Sequence, residues 1–262
     1  MRSGKLVAAF AVLLVVSFAT MNAMPSDTLL AALLQEAVLA LVALVAVGLA
    51  VPDALKRCTQ TVQQRSIVRF TAITLLLVGL VGGAITLLAW LFAGGGTMAC
   101  FASTALPSTA DLMENLLLLL GICLLTGLYE ESFMRVLGIE AFERALDTKR
   151  AILASAALFA LLHVGALDVS AGQLVLLQAV LKFGQALLFG VILGALYVRT
   201  RRLWPCAFIH AGFDVLYLAP NVLLTGTMPE TYASGAVGDT VLLAVSVLML
   251  SGIVLKNRKE IA

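Results

Sequence analysis

The chain reads as a succession of apolar runs separated by short polar stretches, and the runs are long enough to cross a bilayer core about 30 Å thick. They fall at roughly 6–24, 29–51, 71–93, 113–134, 151–167, 173–198, 203–223 and 238–255. The expected fold is all-α, a polytopic transmembrane helix bundle of about eight spans. Residues 1–262 are expected to form a single membrane domain, with no internal repeat, low-complexity tract or soluble domain. The opening "MRSGK" before the first run resembles a signal-peptide start. No small-x-small cleavage site follows and the second run begins almost at once, so a retained first helix is expected.

The polar stretches alternate in charge. Arg2 and Lys5 precede the first run, and "PSDT" after it carries no basic residue. Lys56, Arg57, Arg65 and Arg69 follow the second run, and the stretch 94–111 has none. Arg144, Lys149 and Arg150 follow the fourth, Arg199, Arg201 and Arg202 the sixth, and Lys256, Arg258 and Lys259 the eighth. The stretches after the fifth and seventh runs carry none. Basic residues collect on the cytoplasmic side of membrane proteins. An even number of spans with both termini cytoplasmic therefore follows, most simply in a bacterial cell membrane.

Composition agrees with this reading: 61% of residues are hydrophobic and 12% charged, against roughly a quarter charged in soluble domains. The formal net charge of +2 has this topological explanation and points to no nucleic-acid partner. Cys58, Cys100, Cys123 and Cys206 lack CxxC spacing and read as small residues in or near helices. Gly79 and Gly83, like Gly190 and Gly194, have the i, i+4 spacing that lets membrane helices approach closely.

Ionisable residues within the runs carry the chemical information, because each is costly in the membrane. They are Glu36, Glu130, Glu131, Arg135, His163, Lys182, His210 and Asp214, and they include both histidines of the chain. In "EESFMR", Glu131 and Arg135 stand at i, i+4 and can pair, which turns Glu130 about 100° away. In "FALLH", Phe159 and His163 share a face. In "HAGFD", Asp214 one turn from His210 can orient the ring and fix its tautomer, or help bind a water or a metal. Counting about 1.5 Å per residue puts His163 roughly 18 Å and His210 roughly 10 Å from the cytoplasmic side. Glu130 lies near the cytoplasmic end of its own span, so the three can meet in one polar cavity. Glu36 and Lys182 lie roughly 10–14 Å from the opposite face by the same rise, and are expected to pair with each other.

A carboxylate beside two imidazoles suggests water activation, with the imidazoles donating to a developing oxyanion. One Glu and two His also form a catalytic zinc ligand set, so Glu130, His163 and His210 are candidate metal ligands and zinc a candidate cofactor. No HExxH helix is present. A partner-binding or immunity protein and a proton-coupled transporter are the alternatives from other classes. The transporter would call for repeated halves or broken helices, which the sequence lacks.

In order, "EESFMR", "FALLH" and "HAGFD" resemble the EExxxR, FxxxH and HxxxN/D motifs of the CAAX prenyl endopeptidase and bacteriocin-processing (CPBP, Abi) intramembrane protease family. The resemblance covers roughly residues 113–223, the expected catalytic core. It implies that Glu130 activates water, that His163 and His210 complete the site, and that Asp214 takes the place of the Asn or Asp. Glu131, Arg135 and Phe159 are implied as supporting residues. The implied partners are the lipid bilayer and a membrane-associated protein or peptide substrate. The family is often labelled metallopeptidase, and a metal-free glutamate mechanism is also proposed for it.

Overall fold

A computed structural model describes residues 2–24, 26–56, 61–92, 107–164, 172–229 and 234–256. Among them run eight long helices: α1 (Arg2–Ala23), α2 (Leu29–Ala50), α3 (Val62–Phe92), α4 (Thr109–Glu131), α5 (Thr148–Val164), α6 (Gln173–Thr200), α7 (Leu203–Thr225) and α8 (Val237–Lys256). No strand occurs among the described residues. This is an integral, multi-pass helical bundle. All but α5 are long and apolar enough to span a membrane. Described α5 is a 17-residue helix ending at Val164, and the last residues of its expected span lie outside the described residues.

Local chemistry sets several helix ends. Thr28 caps α2 by accepting from the Ala31 amide at 3.2 Å. Ser108 and Asp111 form a capping box on α4, Ser108 Oγ accepting from the Asp111 amide and Asp111 from the Ser108 amide. The C-terminus of α4 continues without interruption into a π-helical stretch, Ser132–Ile139, followed by the short helix Glu140–Phe142. A wide turn of this kind is rare and is often found at functional sites.

α7 is central: it packs on α4 and α3, while α6 packs on α5 and α8, and α2 lies against α4. Glycine permits two of these contacts. A Cβ on Gly83 of α3 would lie 2.2 Å from the Leu216 carbonyl oxygen of α7, and one on Gly194 of α6 would lie 2.9 Å from Ile152 of α5. Both i, i+4 glycine pairs therefore lie at helix contacts, as their spacing predicts. Leucines such as Leu41, Leu49, Leu77 and Leu117 are exposed on the outer surface, as lipid-facing side chains must be.

The stretches that follow α2, α4 and α6 meet at one end of the bundle. There Arg202 donates to the Asp53 carbonyl, Trp204 Nε1 to the Leu55 carbonyl at 2.8 Å, and Gln64 Nε2 to the Arg199 carbonyl at 3.0 Å. Arg201 pairs with Glu140 at 2.8 Å and Glu143 at 2.7 Å. At the other end Gln178 ties α6 to the start of α8 through Ala236 and Gly235. Cys123 and Cys206 are free and buried, as read; Cys58 and Cys100 lie outside the described residues.

Candidate active site

α4, α5 and α7 bring the three motifs to one place. Glu130 is the meeting point: His163 Nε2 lies 3.9 Å from Oε1, and His210 Nε2 lies 3.5 Å from Oε2. Oε2 is buried and makes no hydrogen bond to the protein.

Each imidazole is anchored at Nδ1, which leaves Nε2 facing the carboxylate. His163 Nδ1 donates to the Phe159 carbonyl one turn earlier on α5, at 2.9 Å. A carbonyl can only accept, so Nδ1 carries a proton and Nε2 of the neutral ring is an acceptor. His210 Nδ1 donates to Glu131 Oε1 at 2.9 Å. Its Nε2 also faces Asp214 Oδ2 at 3.3 Å. An Nε2 between two carboxyl groups calls for a proton between them, on the ring or on a carboxyl.

Asp214 thus contacts the His210 ring at Nε2, as its i, i+4 spacing predicts, while Glu131 from the neighbouring helix holds Nδ1. Glu131 still pairs with Arg135 as its spacing predicts, Arg135 Nε lying 3.1 Å from Oε2 with both side chains fully buried. Its other oxygen serves His210. Arg135 is further enclosed by the Phe159 ring, 4.6 Å from Cζ to the centroid, and by Ser155 Oγ at 3.5 Å from Nη1. Ser155 itself donates to the Met134 carbonyl at 2.6 Å, stitching α5 to the π-helical stretch.

Aromatic rings wall the site. Phe159 lies 4.2 Å from the His163 ring and 6.2 Å from the His210 ring, centroid to centroid. Phe189 of α6 meets His210 edge-on at 4.8 Å. The sequence reading singled out neither Phe189 nor Ser155. Ser155 had a signal, since it lies one turn before Phe159 on the motif face of α5. Phe189 had none.

Exposure divides the site. Glu131 and Arg135 are at 0% and His210 at 4%, whereas Glu130, His163 and Asp214 retain 21%, 26% and 18% of their side-chain surface. The accessible groups can meet a water or a substrate, and the buried ones hold them in place.

Glu36 and Lys182 do not pair with each other as expected. Glu36 leans on Thr126 of α4, one turn before Glu130, and Lys182 donates to Gln185 Oε1 at 3.3 Å.

Anchoring at Nδ1 is the orientation that ligating imidazoles adopt. Yet among the described residues no group of three or more His, Cys, Asp or Glu side chains is placed to hold a metal ion. Glu130, His163 and His210 nonetheless turn one carboxyl group and two ring nitrogens toward one another.

Three motifs in this order, joined in this geometry, can be set against known proteins. Residues 112–216 match the family model of type II CAAX prenyl endopeptidase Rce1-like proteins. This is the CAAX protease family that the motifs resemble, and the matched stretch contains every residue of the site described above except Glu36. It spans less than half of the chain. No curated protein matches. The match supports a protease-type membrane enzyme.

Proposed function

We propose that the protein is an intramembrane endopeptidase that hydrolyses a peptide bond of a membrane-associated protein or peptide with a water activated by Glu130. The observation that carries this reading is Glu130 flanked by two imidazole Nε2 atoms on separate helices. A water between Glu130 Oε1 and His163 Nε2 would donate one proton to each acceptor and turn a lone pair outward. Attack of that oxygen on the substrate carbonyl carbon passes the proton to Glu130. The oxyanion that forms is met by the proton on His210 Nε2, whose ring Glu131 holds by its other nitrogen. Glu130 then gives its proton to the leaving nitrogen as the C–N bond breaks. Water is divided between a new carboxyl group and a new amine, and the site returns to its starting state.

The site is read as opening toward the end that carries the basic loops, which the charge rule places in the cytoplasm. A prenylated peptide is the probe that the family match suggests. The test uses the full chain in detergent micelles with an internally quenched peptide bearing a farnesylated cysteine next to the scissile bond. Wild type cleaves it, and Glu130→Gln cleaves it about 10³-fold more slowly, the scale of a lost general base. Equal rates for both proteins would remove the hydrolytic assignment. Cleavage should persist in the presence of a zinc chelator. Loss with chelator and recovery with zinc would instead make Glu130, His163 and His210 metal ligands.

A further inference from the structure

Away from the hydrolytic site, α3, α6 and α8 enclose a cavity of about 260 Å³. It lies at the end of the bundle where the stretches after α2 and α6 meet, and the Gln64–Arg199 hydrogen bond ties α3 to α6 beside it. Ser66 of α3 and Arg199 of α6 stand at its mouth, and Phe70, Ile192, Leu196 and Ile253 wall it. At about 1.5 Å per residue it runs roughly 10 Å along α6 from Arg199 to Ile192. Along α3 it runs roughly 12 Å from Ser66 to Thr74 by the same rise. The Thr74 hydroxyl donates to the Phe70 carbonyl of its own helix at 2.9 Å, so the deep end gains no free donor from it. Ser66 and Phe70 are exposed, and the cavity therefore opens on the outer surface of the bundle. The catalytic site lies on another side of α6, where Phe189 meets His210 and Gly190 and Gly194 meet α5.

We propose that this cavity is a binding site for an anionic phospholipid, with one acyl chain in the slot and the phosphate among the basic residues at the mouth. Its size suits a chain and not a whole lipid, since pockets that enclose entire ligands hold roughly 300–1,000 Å³. Its surroundings supply the chain, because the surface on which it opens is the one that faces the bilayer. Its charge selects the headgroup. All three helices bring basic residues to this end: Arg65 and Arg69, exposed on the neighbouring face of α3, Arg199 of α6, and Lys256 of α8, exposed one turn beyond Ile253. Among the described residues that line the cavity none is acidic. Basic pockets between membrane helices at the level of the headgroups attract anionic lipids, each Lys or Arg adding to the attraction. The site lies outside the hydrolytic machinery, so the inference holds whether or not the protein is an endopeptidase.

The test is native mass spectrometry of the full chain in neutral detergent, titrated with phosphatidylglycerol and with phosphatidylcholine of the same acyl chains. Wild type should hold one phosphatidylglycerol and prefer it about tenfold or more, as two or more basic contacts of about fivefold each would give. Arg199→Gln should lower that preference about fivefold, and so should the exposed pair Arg65→Gln/Arg69→Gln. Ala195→Phe puts a ring into the slot without touching a charge and should remove the bound lipid. Ile67→Trp, at a half-buried lining position, is the second blocking variant should Ala195→Phe fail to fold. Glycerol 3-phosphate, which has the headgroup charge and no chain, should not displace the lipid. Displacement by it would mean a site for free phosphate and would overturn the proposal. Equal retention of the two lipids by wild type, or undiminished binding in the blocking variants, would do the same. If neither blocking variant folds, the charge variants decide, and an unchanged preference in both would overturn it.

Discussion

Glu131 shows at the scale of one residue how a sequence spacing can be right and incomplete. The i, i+4 distance to Arg135 identifies one partner, and the pair forms with both side chains fully buried. The second partner, His210, lies 79 residues away and can be found only when α4 and α7 are in contact. Glu131→Gln would leave a neutral amide against a buried guanidinium, and unpairing a buried charge costs about 3–5 kcal/mol. The expected result is a marked drop in the thermal midpoint in micelles together with loss of cleavage. A variant that melts like wild type would refute the buried pairing. Phe189 illustrates the opposite case: the edge-on ring against His210 has no local sequence signal, because its meaning comes only from the helix it faces.

For elements, close approach decides whether the site assembles. The i, i+4 glycine pairs on α3 and α6 were legible as packing signals. Gly127, outside any such pair, proves the more consequential for chemistry. A Cβ there would lie 2.6 Å from the Ala207 carbonyl oxygen and 3.2 Å from the Ala211 amide of α7. Backbone cannot yield as a flexible side chain can, so Gly127→Leu should push α7 away from α4. Glu130 lies one turn after Gly127, and His210 stands between the two α7 contacts in sequence. Cleavage should therefore fall by at least about tenfold, with a loss of the order of 1–3 kcal/mol in stability from overpacking. Retention of both by Gly127→Leu would show that the contact is not needed. The π-helical run after Glu131 belongs to this scale as well, and no periodicity argument anticipated it.

Over the whole molecule, the end carrying the basic loops is held by polar ties. Arg201, with φ at 49° in the left-handed region, turns the chain sharply between α6 and α7 and reaches Glu143 beyond the end of α4. Hydrogen bonds from Arg201 hold the Glu143 carboxyl below its ordinary value of 4.5. A carboxyl that is lowered on folding stabilises the fold above its unfolded value and loses that contribution as pH falls through its folded value. Thermal midpoints should therefore decline as pH drops below about 4.5, and less steeply in Glu143→Gln. Parallel acid limbs for the two proteins would contradict this tie. Eight apolar runs, their boundaries to within a few residues for most, and the alternation of basic loops could be read from the sequence, because membrane insertion acts on length, apolarity and charge within single segments. The three motifs were legible for the same reason, each lying within one or two turns of one helix. The tertiary structure decided that Glu131 holds His210 Nδ1 while Asp214 meets Nε2, that Lys182 donates to Gln185, and that Glu130 stands between two imidazoles. Those assignments depend on which helix faces are pressed together, and no single segment carries that information.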